Sequence, residues 1–377
     1  MAEAKKQLKP KGGKMDIFFM GIVLILLTIG LIMLFSASYA YSLEYYNNSY
    51  RFISRQAIFA VIGVAVMLCF SKIPYHFWRR FAWIIFAISI SLLGILLILP
   101  PMVQGMDVKR WFVIGPINFQ PSEIAKFSIV LLFSSLIASN YKEMKKIGFI
   151  AFLTGILILT AGLIVAEPHL SATLLVVLIG VILMIIGGMA TKFIISGALV
   201  GAAGVAVFMF SGAISYVKDR LDYWLDPWAD ATGKGFQTIQ SLLAIGSGGI
   251  LGRGIGQSRQ KYLWVPEPHN DFIFSIVCEE LGLIGAIVII ILFCLLIWRG
   301  FHIAMNAKDK YGSLLAIGLT FQVGLQAMLN IFVVTNTIPN TGISLPFFSY
   351  GGTSLLILLA EMGIVLSISR GSNIEKI

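Results

Sequence analysis

Long apolar runs dominate this 377-residue chain and constrain its fold more than any other feature. About ten of them are long enough to cross the ~30 Å hydrocarbon layer of a bilayer as helices. Apolar residues make up 58% of the chain and charged residues only 12%, a balance that excludes a soluble domain of this length. Because backbone groups in lipid must satisfy one another, the spans are predicted to be helical. We therefore expect one all-α polytopic membrane domain over 1–377, with about ten transmembrane helices.

The basic residues follow the loops of this topology. The formal net charge is +10, and lysines and arginines cluster in the tail at 1–14 and in turns at 72–80, 142–146 and 299–310. Cytoplasmic loops carry an excess of Lys and Arg, so both termini are predicted to be cytoplasmic. Topology accounts for the charge, and no nucleic-acid partner is expected. The three cysteines lie inside apolar runs, so neither a disulfide nor a metal framework is expected.

One long hydrophilic stretch, 211–270, is predicted to be a large extracytoplasmic loop between the seventh span, 193–210, and the eighth. Loops of this length are usually functional or disordered, and the composition of this one favours function. Four aspartates between 219 and 230 stand beside Tyr and Trp, which indicates a helix lying at the membrane surface. A solvated acidic face is favoured there over a calcium or magnesium site.

A single carboxylate, Asp271, stands where this loop meets the eighth span. Pro266 and Pro268 cannot lie inside a helix and Asn270 is a good N-cap, so the helix is predicted to begin at Asp271. A solvent-facing carboxylate at a helix start is the ordinary interpretation. Ionisable residues at a membrane are costly, however, which makes Asp271 a functional candidate.

Two further acids, Glu279 and Glu280, follow in the same predicted helix. At ~1.5 Å per residue they lie roughly 12 to 14 Å deeper than Asp271. Glu279 would share a helix face with Asp271 and Ser275. We interpret these deeper acids as supporting residues.

The stretch 109–126 carries residues suited to a polar ligand. Lys109, Arg110 and Trp111 are predicted to face outward, and the next span begins near residue 122. Glu123 and Lys126 are three residues apart, so they either pair on one helix face or bind substrate. Both interpretations stay open.

A glycine-rich stretch holds three more cations, Arg253, Arg259 and Lys261. It lacks a GK[ST] ending, which argues against nucleotide binding. An amide-rich cationic loop suits an anionic phosphate ligand, and a merely flexible basic loop is the alternative. Ser349 and Tyr350 can present hydroxyls on the same outer surface. Two histidines at outer helix ends, at 169 and 269, do not make a zinc site without a third ligand.

Four motifs carry a family resemblance. They read LDPWAD, RWFVIGPINFQPSEIAK, PNTGISLPFFSYGGTSLL and GFQTIQSLLAIGSGGILGRGIGQSRQKYLWVPEPHNDFIFSIVCEELG. Together they closely resemble the SEDS family (shape, elongation, division and sporulation) over essentially the whole chain. The stretch GQSRQKYLWVPEPHNDFIF is more similar to the division and sporulation branch than to the elongation branch. Some division-type relatives carry a lysine where this chain has Thr341.

The resemblance implies a peptidoglycan glycosyltransferase of the bacterial plasma membrane that polymerises lipid II at the outer leaflet for septal or spore wall synthesis. The implied partner is a class B penicillin-binding protein, a transpeptidase, within the division or sporulation machinery. The family's essential aspartate falls on Asp271. The motifs and residue patterns together give these candidates for substrate binding: Lys109, Arg110, Trp111, Gln120, Ser122, Glu123, Lys126, Arg253, Ser258, Arg259, Lys261, His269, Ser349 and Tyr350. Supporting roles fall on Glu279, Glu280, Pro266 and Pro268.

The implied chemistry needs a base and several cations. A sugar hydroxyl must lose a proton as it attacks an anomeric carbon, while a lipid pyrophosphate leaves. Asp271 would be the base. A helix N-terminus and nearby cations predict a pKa for Asp271 at or below the reference of ~3.9, which makes a weak base. Three answers stay open: bound lipid desolvates the carboxylate, the carboxylate acts late, or it helps to hold a divalent cation such as Mg²⁺ or Mn²⁺.

The alternative function is a lipid II flippase or transporter. Moving a charged headgroup requires a polar path through the bilayer, and Glu279, Glu280 and Glu361 are the main acids that could line one. The predicted spans contain no deep arginine to meet a pyrophosphate. The cations cluster outside instead, which favours the enzyme.

Overall fold

The computed structural model describes residues 13–100, 110–115, 117–197, 199, 222–233 and 235–372. Four predictions therefore fall on residues that lie wholly or partly outside the described ones. These are the basic tail at 1–14, Lys109, the seventh span at 193–210, and the beginning of the loop at 211–270.

Helices make up most of the described chain. Their bounds are α1 Ile17–Tyr46, α2 Arg51–Phe70, α3 His76–Ile98, α4 Pro121–Ser139, α5 Ile147–Ala166, α6 Leu170–Ile186, α7 Phe236–Gly248, α8 Ile273–Met305, α9 Lys310–Val334 and α10 Gly352–Gly371. Residues 191–197 are also helical, and short 3₁₀ turns form at Tyr141–Lys145 and Pro227–Asp230. Strands β1 Phe112–Ile114 and β2 Ile117–Phe119 pair as an antiparallel hairpin between α3 and α4. Elsewhere the described residues follow the predicted all-α architecture.

Eight described helices, α1 to α5 and α8 to α10, are long and apolar enough to cross a membrane. Helix α6 is apolar as well but shorter, at 17 residues. Helix α7, within the predicted outer loop, has 13 residues and was not expected. The seventh predicted span lies mostly outside the described residues.

The two longest described helices far exceed the thickness of the hydrocarbon layer. Helix α1 has 30 residues and α8 has 33. At ~1.5 Å per residue they measure about 45 and 50 Å, against ~30 Å of hydrocarbon. Helix α8 also breaks at Gly282, whose φ is 67°. The segment before this break therefore rises above the hydrocarbon layer when the segment after it spans the membrane.

The glycine-rich stretch packs against this break in α8. The amide of Gly254 donates to the carbonyl of Glu280 at 2.9 Å. Gly252 has a φ of 78°, and its backbone touches that of Gly282 with no room for a Cβ on either residue. Close backbone contact between small residues is the usual way to join membrane segments. These glycines thus join α7 to α8.

A buried ion pair lies beside the same junction. Lys261 Nζ is 3.1 Å from Glu280 Oε1, and the two side chains are 3% and 0% exposed. Ser36 of α1 donates to Glu280 at 2.6 Å. The neighbouring Glu279 accepts from the Ser258 hydroxyl at 2.5 Å. Each buried charge therefore has partners, as burial requires.

We predict that Lys261→Met lowers stability, because it leaves the Glu280 carboxylate buried without its cation. Breaking such a pair from one side costs about 3–5 kcal/mol. Thermal unfolding of the purified protein in detergent, followed by size-exclusion chromatography, measures the loss. Arg259→Met at the exposed neighbouring position is the matched control and should unfold like the wild type. Equal unfolding temperatures for both variants would contradict a structural role of the pair.

Candidate active site

A cavity of about 430 Å³ opens among the helix ends at one face of the bundle. Its size lies within the ~300–1,000 Å³ range of small-molecule sites. The end of α1 and the beginnings of α2, α4, α6 and α10 contribute to its wall, as do the β hairpin and the turn before α8. The predicted site residues that line it are Arg110, Trp111, Gln120, Glu123, Lys126, His269, Asp271 and Tyr350.

The other predicted site residues do not line the cavity. Arg253, Ser258, Arg259 and Lys261 surround Glu279 and Glu280 at the junction of α7 and α8, where Arg253 Nε lies 3.7 Å from Glu279 Oε1. Ser349 and Ser122 lie behind the wall. The Ser349 hydroxyl donates to the carbonyl of Asn270 at 2.8 Å. Pro266 and Pro268 belong to the turn before α8. Lys109 lies outside the described residues.

Asp271 precedes α8 instead of beginning it, so the predicted helix start is wrong by two residues. The helix begins at Ile273. Asn270 does not cap it, because the N-cap residue is Phe272 and no described side chain accepts from the first turn; the Asn270 amide donates to Glu267 Oε2 at 2.8 Å. The Asn330 amide of α9 donates to the carbonyl of Asp271 at 2.7 Å. These contacts hold residue 271 in a turn at the cavity wall.

The predicted low pKa of Asp271 is also wrong. The pKa of Asp271 is raised to about 6, mainly by burial and also by the nearby charge of Glu267, against the lowering effect of Arg110. Because Asp271 stands before the helix in a partly closed cavity, desolvation outweighs the cation. A carboxyl group with a pKa near 6 is a stronger base than an ordinary aspartate and is still mostly ionised at neutral pH.

Gly342, in the loop before α10, leaves the space that this carboxylate occupies. Its φ is 71°, a conformation that other residues rarely adopt. A Cβ at this position would lie only 3.2 Å from Asp271 Oδ2. Glycine is therefore required here both by backbone conformation and by the close approach of Asp271.

Cations line the same cavity. Lys126 forms an ion pair with Glu123 at 2.9 Å, and it also donates to Gln326 at 2.9 Å. Glu123 and Lys126 therefore pair on one helix face and also line the cavity, while their binding of substrate stays a prediction. Arg110 donates to the carbonyl of Pro168. Burial raises the pKa of the adjacent Glu167 to about 8, against the lowering effect of Arg110.

The cavity also contains residues that the sequence interpretation missed as site residues. These are Arg55, His169, Glu267 and Gln326, among others. One signal was available for Gln326, since Gln322, Gln326 and Asn330 recur every four residues on α9 and mark a polar face within an apolar span. Glu267 falls in the proline-bounded turn, where it has a φ of 45°. Arg55 and His169 carried no comparable pattern.

The predicted divalent cation stays a prediction. Within the described ranges, no three His, Cys, Asp or Glu side chains lie close enough to hold a metal ion by themselves. Asp271 and Glu267 are two carboxylates that line the cavity near each other in sequence. The chemistry below assigns no step to a metal.

Comparison with known proteins identifies relatives over nearly the whole chain. The FtsW/RodA/SpoVE family model, described as "Cell cycle protein", matches residues 17–374. Stage V sporulation protein E of Bacillus subtilis (strain 168) is 39% identical over 360 residues, which cover 95% of this chain and 97% of that protein. The probable peptidoglycan glycosyltransferase FtsW of Geobacter sp. (strain M18) is 35% identical over 358 residues, which cover 94% and 96%.

Solved structures share the fold. A chain from a structure titled "Structural coordination of polymerization and crosslinking by a peptidoglycan synthase complex" superposes with a TM-score of 0.78 at 26% identity, covering 94% of this chain and 98% of that one. The rod shape determining protein RodA of Thermus thermophilus superposes with a TM-score of 0.70 at 24% identity, covering 96% and 98%. The predicted polytopic fold and the SEDS resemblance are confirmed. This chain belongs to the FtsW/RodA/SpoVE family of cell cycle proteins.

Proposed function

We propose that this chain is a peptidoglycan glycosyltransferase that polymerises lipid II into glycan strands for septal or spore wall synthesis. The observation that carries the proposal is a carboxylate of raised pKa, Asp271, in a cavity that also presents Arg55, Arg110 and Lys126. A base opposite cations is the arrangement that glycosyl transfer from a pyrophosphate requires. Membership of a family with a named glycosyltransferase relative supports the same reaction.

The proposed reaction joins two lipid-linked disaccharides. A sugar hydroxyl of one attacks the anomeric carbon of the other, and the bond from that carbon to the pyrophosphate oxygen breaks with its electron pair. The hydroxyl proton passes to the Asp271 carboxylate. Arg55 and Arg110 offset the charge that develops on the lipid pyrophosphate. Lys126 contributes less, because Glu123 already balances its charge at 2.9 Å.

We further propose that both termini are cytoplasmic and that the cavity faces outward. The basic turns at 72–80, 142–146 and 299–310 connect helices at the end of the bundle opposite the cavity. The excess of Lys and Arg favours the cytoplasm for that end. The cavity then opens where the outer leaflet would present lipid II.

We also propose that a class B penicillin-binding protein is the partner, within the division or sporulation machinery. The reaction at Asp271 extends glycan strands but does not join their peptides. A similar solved chain belongs to a peptidoglycan synthase complex whose title couples polymerisation to crosslinking. A transpeptidase partner would supply the missing step.

We predict that Asp271→Asn abolishes most polymerisation while the protein still folds, because the change keeps side-chain size and removes only the base. Loss of a positioned general base typically costs about 10²–10⁴ in rate. The measurement is glycan formation from purified lipid II at matched protein levels. Glu44→Gln, at an exposed position on α1, is the control and should keep wild-type activity. Near-normal polymer from Asp271→Asn would overturn the mechanism, and lipid II translocation without polymer would favour the transporter.

We predict that polymerisation depends on pH through Asp271. Its pKa is raised to about 6, so the base form predominates above that pH. The rate should be nearly flat from pH 7 to 8 and fall about tenfold per unit well below pH 6. Glu267→Gln removes a negative neighbour, which should move the fall to lower pH. Single-turnover rates between pH 5 and 8 measure both effects, and an unchanged rate at pH 5 would contradict the assignment.

We predict that a cysteine in the α7–α8 junction reacts from outside the cell. Gln257→Cys lies at an exposed position, and its background should carry alanine at the three native cysteines. A membrane-impermeant maleimide should label it on intact cells, while Lys72→Cys should react only after permeabilisation. The reverse pattern would show that the cavity faces the cytoplasm.

A further inference from the structure

His169 caps the beginning of α6 and lines the cavity, although the reaction step itself does not require it. Its ring has a defined hydrogen-bond pattern. The amide nitrogen Nε2 of Gln120 lies 3.3 Å from Nδ1, and the Ser122 hydroxyl lies 3.5 Å from the same atom. With the Gln120 amide in this orientation its nitrogen donates and Nδ1 accepts. The hydrogen of a neutral ring must then be on Nε2.

The surroundings keep this ring neutral. The pKa of His169 is lowered to about 3, mainly by burial and also by the positive charges of Arg110 and Lys126. The nearby carboxylates do little to raise the pKa of His169. Burial raises the pKa of Glu167 to about 8, which leaves that group mostly protonated at pH 7, and Glu123 is paired with Lys126.

The second ring nitrogen is available to a ligand. Among the described residues, none accepts a hydrogen bond from His169 Nε2, and this atom is not among the fully enclosed polar atoms that lack a partner. The side chain as a whole is 8% exposed, and the cavity is the space that it borders. An N–H group that has no acceptor among the described residues, on a residue that lines a cavity, therefore indicates a ligand.

We propose that His169 is a substrate-binding residue that donates its Nε2 hydrogen to a pyrophosphate oxygen of the lipid-linked sugar. The inference rests on the proposed function, which supplies the pyrophosphate. Arg110 and Lys126 line the same cavity and act electrostatically on this ring, so an anionic group is the favoured ligand beside it. A hydrogen bond to a charged acceptor is stronger than one to a neutral oxygen. The proton stays on Nε2 throughout, so the residue needs no recharging between turnovers.

Two substitutions of His169 separate donation from packing. His169→Gln can place an amide donor near the position of Nε2, whereas His169→Leu fills the space without a donor. Loss of a hydrogen bond to a charged group should weaken binding on the order of tenfold or more. We expect His169→Leu to raise KM for lipid II and the inhibition constant of farnesyl pyrophosphate by that factor. His169→Gln should stay within about threefold of the wild type, since the donor is restored.

Two further measurements exclude a merely structural role. Thr173→Val, one turn further along α6, removes a hydroxyl bonded to the His169 carbonyl at 3.0 Å and should leave both constants unchanged. The fall in rate near pH 6 should persist in His169→Gln, because it is caused by protonation of Asp271. Equal affinity of His169→Leu and wild type for farnesyl pyrophosphate would overturn the proposal, as would equal losses in His169→Leu and His169→Gln. If His169→Leu weakened competition by N-acetylglucosamine but not by farnesyl pyrophosphate, the hydrogen bond would be to the sugar. That result would also overturn the proposal.

The outcome for His169 is distinguishable from the outcome for the proposed function. Direct binding of farnesyl pyrophosphate to purified wild type and variants tests the residue without any polymerisation. Wild-type protein that binds farnesyl pyrophosphate through His169 but makes no glycan would refute the glycosyltransferase while supporting the anion site.

Discussion

A single buried amide holds the two loops that form the active site. Asn330 of α9 donates to the carbonyl of Asp271 at 2.7 Å and to the carbonyl of Ile343 at 2.6 Å. Its side chain is fully buried, and buried backbone carbonyls need such donors when they are not part of a helix. Together with the contact of Ser349 with the carbonyl of Asn270, this side chain fixes the turn before α8 and the loop before α10 against each other. The approach of Asp271 to Gly342 depends on how these two segments are held together. The glycine only makes room for a carboxylate that is already in place.

This arrangement sets function against stability. The pKa of Asp271 is raised by burial, so the charged form is less favourable in the folded protein than in the unfolded chain. At low pH the Asp271 carboxyl group is neutral in both the folded and the unfolded state. Folding stability is therefore lost as pH rises through about 6. The ionised form that serves as the base is therefore penalised by folding, whereas the neutral form is not. A desolvated carboxylate of this kind is common at active sites, where activity is kept at some loss of stability.

The sequence predicted the fold class well because transmembrane helices are local. Hydrocarbon forces every backbone group in a span into a helix, so about twenty apolar residues suffice to locate one. The α7 helix and the contact of its following glycines with Gly282 were not predictable in this way. Both depend on two segments that meet only after folding, and a Gly-rich run with cations also fits a phosphate loop.

The structure brings together only part of the predicted site, and for one reason. Asp271 and several residues of the stretch 110–126 line one cavity, as expected from the agreement of motif and membrane position. Arg253, Arg259 and Lys261 were assigned to a phosphate ligand because they lie in an amide-rich cationic loop. In the structure Arg253 and Lys261 pair instead with buried acids at the junction of α7 and α8. His169 and Arg55 come from distant segments that no spacing connects to Asp271. Tertiary proximity was the missing information in each case.

The two sets of acids near the start of α8 differ in their partners, and the partners decide their roles. Glu280 has a lysine, a serine hydroxyl and the amide of Ser258 around its carboxylate, so its charge is balanced within the protein. The side chain of Asp271 has no hydrogen bond or ion pair to any described residue, and burial has already raised its pKa. A carboxylate whose partners are all internal stabilises the junction of α7 and α8. A carboxylate that lacks them must take its proton or its counter-charge from what enters the cavity, which is the property that a catalytic base requires.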